Sequence, residues 1–195
     1  MSQRQAAHPI DPQFTDRWSP RAFTGEAIAA DALLGLLEAA RWAPSASNIQ
    51  PARFLFGHAG TPAFATILDG LVPFNQGWAG KASALVVVLS KTSSVAPGQT
   101  EAKANVWHAF DAGAAWMSLA LQAHLKGYIT HAMGGFDGDK LRAALNVPAD
   151  VAIHAVVAVG KQGDKASLPE GLQARELPND RLPLAQLAAE GAWSF

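Results

Sequence analysis

Arg17, Ser19 and Arg21 stand at alternate positions of the segment Arg17-Trp-Ser-Pro-Arg21. Pro20 biases Ser19 toward an extended conformation, and alternate side chains of an extended chain point the same way. Two guanidinium forks and a hydroxyl on one face suit a phosphate, whose oxygens a guanidinium binds in pairs. The same pattern also describes a solvated basic turn. A second cluster, Pro44-Ser-Ala-Ser-Asn-Ile-Gln-Pro51, sets Ser45, Ser47, Asn48 and Gln50 between two prolines. Proline cannot continue a helix, so a polar loop here is pinned between a helix and a strand. Such a loop can hold a ligand or serve as a plain helix-to-strand turn.

The elements that position these residues are legible in the apolar pattern. Leu33, Leu36, Leu37 and Ala40 recur at helical spacing, which predicts a helix over 32–42 with Asp31 as its N-cap. Phe54 to Phe56 reads as a strand after the loop. Thr61-Pro62 starts a second helix whose stripe is Phe64, Ile67 and Leu68. Phe74-Asn75-Gln76-Gly77-Trp78 and Lys81 lead into the strand Ala84 to Ser90. The stretch Ser93 to Lys103, with Pro97 and Gly98, reads as a loop, either a lid or a surface connection.

Asn105 to Lys126 is the longest helical stretch. Val106, Trp107, Phe110, Ala114, Met117, Leu121 and Leu125 cover one broad face, and Ala112, Gly113 and Ala115 permit close packing. So apolar a helix belongs in a core or at a subunit interface, and Gly127 is its expected stop. His108, Asp111 and His124 lack a further ligand at matched spacing, so they read as satisfied side chains and not as a metal site. Tyr128 to Met133 is a strand entering Gly134-Gly135, where an ordinary turn and a close backbone approach to a flat ligand both call for glycine. Asp137 caps a short helix over 138–145, and the strand Ile153 to Val159 exits at Gly160-Lys161. Residues 162–179 read as polar and irregular and lead to Arg181-Leu-Pro183-Leu. Trp193 and Phe195 are costly to leave exposed and are expected on a neighbouring subunit or on the body of the fold.

Composition narrows the function classes. The chain has 195 residues, 49% hydrophobic, enough for one domain spanning 1–195. Fifteen basic residues against sixteen acidic ones argue against a sequence-independent nucleic-acid binder, which needs a cationic surface. Cysteine is absent, which removes disulfides, thiolate nucleophiles and Cys-based metal centres. The start, Met1 to Pro9, lacks the apolar core of a secretory signal, and no run approaches the ~20 apolar residues of a membrane span. The expectation is a soluble cytoplasmic protein. Dinucleotide, Walker-type and Gly-x-Ser-x-Gly motifs are all missing.

Arg-x-Ser-x-Arg, an apolar helix, Ala-Arg-Trp-Ala-Pro-Ser-Ala-x-Asn-x-Gln-Pro and a strand, in that order, resemble the nitroreductase family of FMN-dependent oxidoreductases. The likeness extends from Arg17 to Leu187. It implies an α+β fold, a three-layer sandwich with a mixed central sheet flanked by helices, in an intertwined homodimer with FMN at the subunit interface. It further implies a cofactor-binding set of Arg17, Trp18, Ser19, Arg21, Lys161 and Arg181, the last shortly before a final helix, for phosphate, ribose or pyrimidine edge, with Asn75, Met133, Gly134 and Gly135 about the ring. Pro44, Ser45, Ala46 and Asn48 would come from the other chain. The implied reaction is ping-pong: NAD(P)H reduces FMN, then an electron-poor acceptor such as a nitroaromatic or quinone takes the hydride. Because the nicotinamide stacks on the flavin in this family, no Rossmann motif is needed, and no protein nucleophile or base is assigned. Dehalogenation, flavin fragmentation and non-catalytic flavin binding are the alternatives. Two positions depart from the family pattern. Ala52 replaces the aromatic residue many members carry after Gln-Pro, opening space or altering packing. Trp78 stands where a basic residue is expected, with Lys81 the nearest substitute near the flavin N1.

Overall fold

Ala84 to Ser90 form the interior of the structure, each residue at most 2% exposed. A strand buried on both faces must have layers above and below it. In the computed structural model, which describes residues 4–95 and 98–195, this strand is β2 (Ala84–Lys91). It lies between β1 (Ala52–His58) and β6 (Val151–Gly160), with β5 (Ile129–Met133) outside β6, in the order β1-β2-β6-β5. The remaining strands, β3 (Ser93–Ser94) and β4 (Lys103–Ala104), pair with each other. They close the ends of the expected 93–103 loop; its Pro97, like residues 1–3 of the Met1 to Pro9 start, lies outside the described residues.

Two helical layers follow from the strand alternation. Leu85, Val87 and Leu89 point into one core with Phe64 and Ile67 of α3 (Pro62–Asp69), Trp78 of α4 (Pro73–Ala79) and Leu141 of α6 (Gly138–Ala144). Ala84, Val86 and Val88 point into the other with Leu33, Leu36 and Ala40 of α2 (Ala30–Arg41). Ala112, Ala115, Leu119 and Ala123 of α5 (His108–Leu125) complete that second core. Each fully buried valine or leucine is worth about 1.5–3 kcal/mol, so the sheet is clamped from both sides. This is the expected α+β sandwich, with one correction. Every neighbouring pair among the described residues is antiparallel, and the sheet is not mixed. The α3–α4 excursion goes out and returns to the end of the sheet it left, so β2 reverses β1, and the α6 excursion does the same, so β6 reverses β5.

Local signals account for most element ends. The Thr61 hydroxyl accepts from Phe64 N–H at 3.3 Å, with Pro62 at the first helical position, and the Asp137 carboxylate accepts from Lys140 N–H at 2.9 Å. Gly127, at φ +70°, follows the C-cap of α5. Asp31, by contrast, caps nothing. The helix already starts at Ala30, with Leu33 N–H bonded to Ala29 C=O, and Asp31 lies in the first turn, where its charge suits the helix dipole. The short α1 (Gln13–Asp16) and α7 (Glu170–Gln173) escape the apolar pattern. The expected last helix is only a turn over Leu184–Gln186, because so short a segment with exposed leucines has no packing to sustain a helix.

α5 turns mostly small residues, with Leu119, to the sheet. Ala112, Ala115, Ala120 and Ala123 are buried, whereas Phe110 is 75% and Leu125 63% exposed, and Val106 and Trp107 just before the helix are exposed too. Trp193 and Phe195 stay exposed and stack edge to face on each other. No described helix is long and apolar enough to cross a membrane.

The register of β2 on β6 shifts between Val88 and Leu89, which face Ala155 and Ile153. His154 is therefore the extra residue of a β-bulge, and the bulge turns its ring toward α5. The buried Ser90 hydroxyl lies 2.6 Å from His154 Nε2 and 2.8 Å from His108 Nδ1. Burial, then the neighbouring His108, pushes the His154 pKa below its ordinary value of 6.5. The folded protein thus binds this proton less readily than the unfolded chain. That stability is complete above pH 6.5 and is lost as pH falls through the lowered value. Melting temperature should drop on acidification from neutral pH, and His154→Asn should flatten the drop. Parallel curves for the two proteins would assign the pH dependence elsewhere.

Candidate functional site

The extended segment after α1 delivers Arg17, Ser19 and Arg21 to one side, as alternation requires, and all three line a pocket of about 160 Å³. Trp18 and Arg181 line it too. Sequence reasoning missed Arg4, His131 and Arg175 in the same wall. No spacing rule ties those three to Arg17; only the fold brings the chain termini and β5 together. The pocket therefore gathers five guanidinium groups. Burial, then Arg4 and Arg181, pushes the Arg17 pKa below its ordinary value. Burial, followed by Arg181, does the same to Arg4. Cations crowded in this way repel one another, and an anion among them relieves the cost. Arg21 Nε is buried without a hydrogen-bond partner, a donor left available to such an anion. His131 Nδ1 lies 3.1 Å from Pro20 C=O, and burial, then Arg21, holds its pKa low.

The Pro44 loop is built differently. Asp111 of α5, 4% exposed, accepts from Ala46 N–H through both carboxylate oxygens, at 3.2 and 3.3 Å. Gln50 N–H donates to Ser45 Oγ at 2.9 Å and closes the loop on itself. Ser47, Asn48 and Gln50 all have positive φ, between 51° and 54°. Asn tolerates that region, but Ser and Gln adopt it only where their surroundings impose it. Asp111, which the sequence offered as a satisfied side chain of the α5 face, is thus the anchor of this loop. Pro44, Ser45 and Ala52 line a groove of about 400 Å³ beside α2, lined also by Asp111 and Ala115 of α5. That groove shares no lining residue with the arginine pocket.

A third group lies where α4 meets the end of β5. Asn75, 8% exposed, donates from Nδ2 to Gly135 C=O at 3.0 Å, and Val72 N–H donates to the same oxygen at 3.1 Å. A Cβ on Gly135 would stand 2.7 Å from Asn75 Nδ2, so the missing side chain is what admits the amide. Space beside Gly134 is open. The Met133 side chain is 3% exposed and belongs to the core, which leaves only its backbone toward the loop. Lys161 stands apart from the arginine pocket: its Nζ donates to Gly127 C=O at 3.0 Å and lies over the Tyr128 ring. Trp78 is buried against Phe23 and His131. Lys81 is exposed.

The chain resembles known proteins in both sequence and fold. A model of the nitroreductase family matches residues 14–61 and 58–161. The uncharacterized 15.4 kDa protein in the ask 5′ region of Mycolicibacterium smegmatis is 38% identical over 149 residues, covering 72% of this chain and 97% of that protein. A crystal structure described as an oxidoreductase containing FMN is 45% identical with a TM-score of 0.95, covering 100% of this chain and 98% of its own. A Desulfovibrio desulfuricans protein in complex with FMN, described as a nitroreductase, is 25% identical with a TM-score of 0.72, covering 97% and 100%.

The contrast between the paired glycines is testable. Gly135→Ala forces Asn75 and Val72 apart and should cost about 1–3 kcal/mol. Gly134→Ala meets open space and should stay within about 0.5 kcal/mol. Denaturant unfolding of both variants measures the difference, and equal effects would remove the close-packing role from Gly135.

Proposed function

Because the chain belongs to the nitroreductase family, we propose that it is an FMN-dependent oxidoreductase that takes a hydride from NAD(P)H and delivers it to an electron-poor acceptor such as a nitroaromatic or quinone. The observation that carries the reading is the arginine pocket: Arg17, Ser19, Arg21 and Arg181 converge there with a buried donor unused. A phosphate monoester fits that donor set, since charged forks bind its oxygens strongly. The FMN named for the two similar structures carries such a phosphate.

FMN, when bound, supplies the hydride chemistry that no side chain in this chain provides. The protein binds and orients. Arg17 and Arg21 hold the phosphate with Ser19 as a further donor, and Arg181 and Trp18 close that end of the site. Asn75 and the backbone of Gly134 and Gly135 meet the ring system. Pro44, Ser45, Ala46 and Asn48 come from a second copy of the chain, which completes the site in a homodimer. Two features support the sharing: the Pro44 groove and the arginine pocket are separate within one chain, and α5 presents Phe110 and Leu125 to solvent. NAD(P)H and the acceptor then occupy one pocket in turn, in a soluble cytoplasmic enzyme.

The visible spectrum of the purified protein tests this reading, taken before and after anaerobic NADH and then NADPH. A flavin spectrum that bleaches is expected. A protein that stays colourless when given FMN would overturn it. Replacing both Arg17 and Arg21 with Ala should weaken FMN retention by several kcal/mol at most, at about 1.5–3 kcal/mol per charged hydrogen bond; unchanged affinity would remove them from the site. Light scattering should show flavin only in a dimer, and a flavin-loaded monomer would refute the shared site.

A further inference from the structure

Among the described residues, Glu176 is the one buried carboxylate next to the arginine pocket, and an acid there is unfavourable for an anion on electrostatic grounds alone. Its side chain is 4% exposed. Oε1 accepts from Arg21 N–H at 2.5 Å and from Ala22 N–H at 2.8 Å. Oε2 forms an ion pair with Arg21 Nη1 at 3.7 Å, too long for a hydrogen bond, and has no hydrogen-bond partner. The hydrogen bonds of this carboxylate therefore go to the main chain, and the guanidinium is held only by the longer ion pair. Its own position is fixed by the turn before it. Leu168 and Leu172 are buried in the core about Phe64 and Trp78, and Glu176 N–H closes the turn after α7 on Gln173 C=O. An internal anchor thus ties a late segment of the chain to the backbone at Arg21.

We propose that Glu176 is the positioning residue of the anion site. It acts through Arg21: by accepting both main-chain N–H groups it sets the direction in which the Arg21 side chain leaves the backbone. The inference rests on the phosphate reading of the arginine pocket. It makes a prediction opposite in sign to simple electrostatics. If Glu176 mattered only as a negative charge, removing it would tighten binding of a phosphate. If it positions Arg21, removing the acceptor loosens binding even though a negative charge is gone.

The test compares FMN with riboflavin, which differ by the phosphate alone, in titrations of the flavin-free full-length protein followed by flavin fluorescence. Thermal stabilisation of the same protein by inorganic phosphate gives a readout without any flavin. In Glu176→Ala the preference for FMN over riboflavin should fall about tenfold or more, as two charge-assisted bonds are lost. Phosphate should no longer raise the melting temperature. Glu176→Gln keeps an oxygen acceptor and should retain the preference. If Glu176→Ala does not fold, Glu176→Asp, whose shorter side chain draws the carboxylate back from both N–H groups, should show the same loss. An unchanged or greater preference in Glu176→Ala or Glu176→Asp overturns the positioning role while the phosphate site stands. A wild-type protein that does not distinguish FMN from riboflavin overturns both.

Discussion

Burial of β2 on both faces is the constraint on which the rest of the structure depends. Seven consecutive residues, Ala84 to Ser90, leave no face for water, so helices must cover the sheet above and below. Once α2 and α5 occupy one side, the connection from α2 to β1 has to pass over the end of α5. That is where the Asp111 carboxylate meets Ala46 and fixes the polar loop. Once α3, α4 and α6 occupy the other side, α4 abuts the end of β5. The Asn75 to Gly135 bond is the result. The site residues are distant in sequence, and the two layers bring them to their places.

The elements were largely legible in the sequence, and the reasons are local. Helical stripes such as Leu33, Leu36 and Ala40, the Thr61 cap and the prolines at 44 and 62 act over a few residues. The direction of a helix face was less so. Large apolar side chains marked one broad face of α5 for burial, yet Ala112, Ala115, Leu119 and Ala123 turn to the sheet while Phe110 and Leu125 turn out. A narrow gap between α2, α5 and the sheet selects small residues, and hydrophobicity alone does not report gap width. Sheet direction was hidden as well, because it depends on where each helical excursion returns.

The candidate site shows the same division. Arg17, Ser19 and Arg21 were visible because alternation in an extended segment is a local rule. Arg4, His131 and Arg175 were not, since they reach the pocket from the N-terminus, β5 and the segment after α7. Glu176 gave no signal either. One acid in a polar stretch looks solvated, and its burial follows from leucines that anchor the turn before it. Gly135 was noticed for a reason that the fold partly redirects: the room left by its missing Cβ admits an amide from the same chain.

The bulge at His154 separates two roles that a strand residue ordinarily combines. Val151 and Ile153 before it, and Val156 and Ala158 after it, all contribute to the same core, a spacing that simple alternation through residue 154 would break. A chain from which residue 154 were deleted would restore unbroken pairing from Val88 to Leu89 with every inward residue still inward. The sheet has no need of this histidine. Natural variation that lost it would shorten the strand without disturbing either core, so the bulge and the imidazole form one removable unit, seated on Ser90 and spliced into an otherwise regular strand.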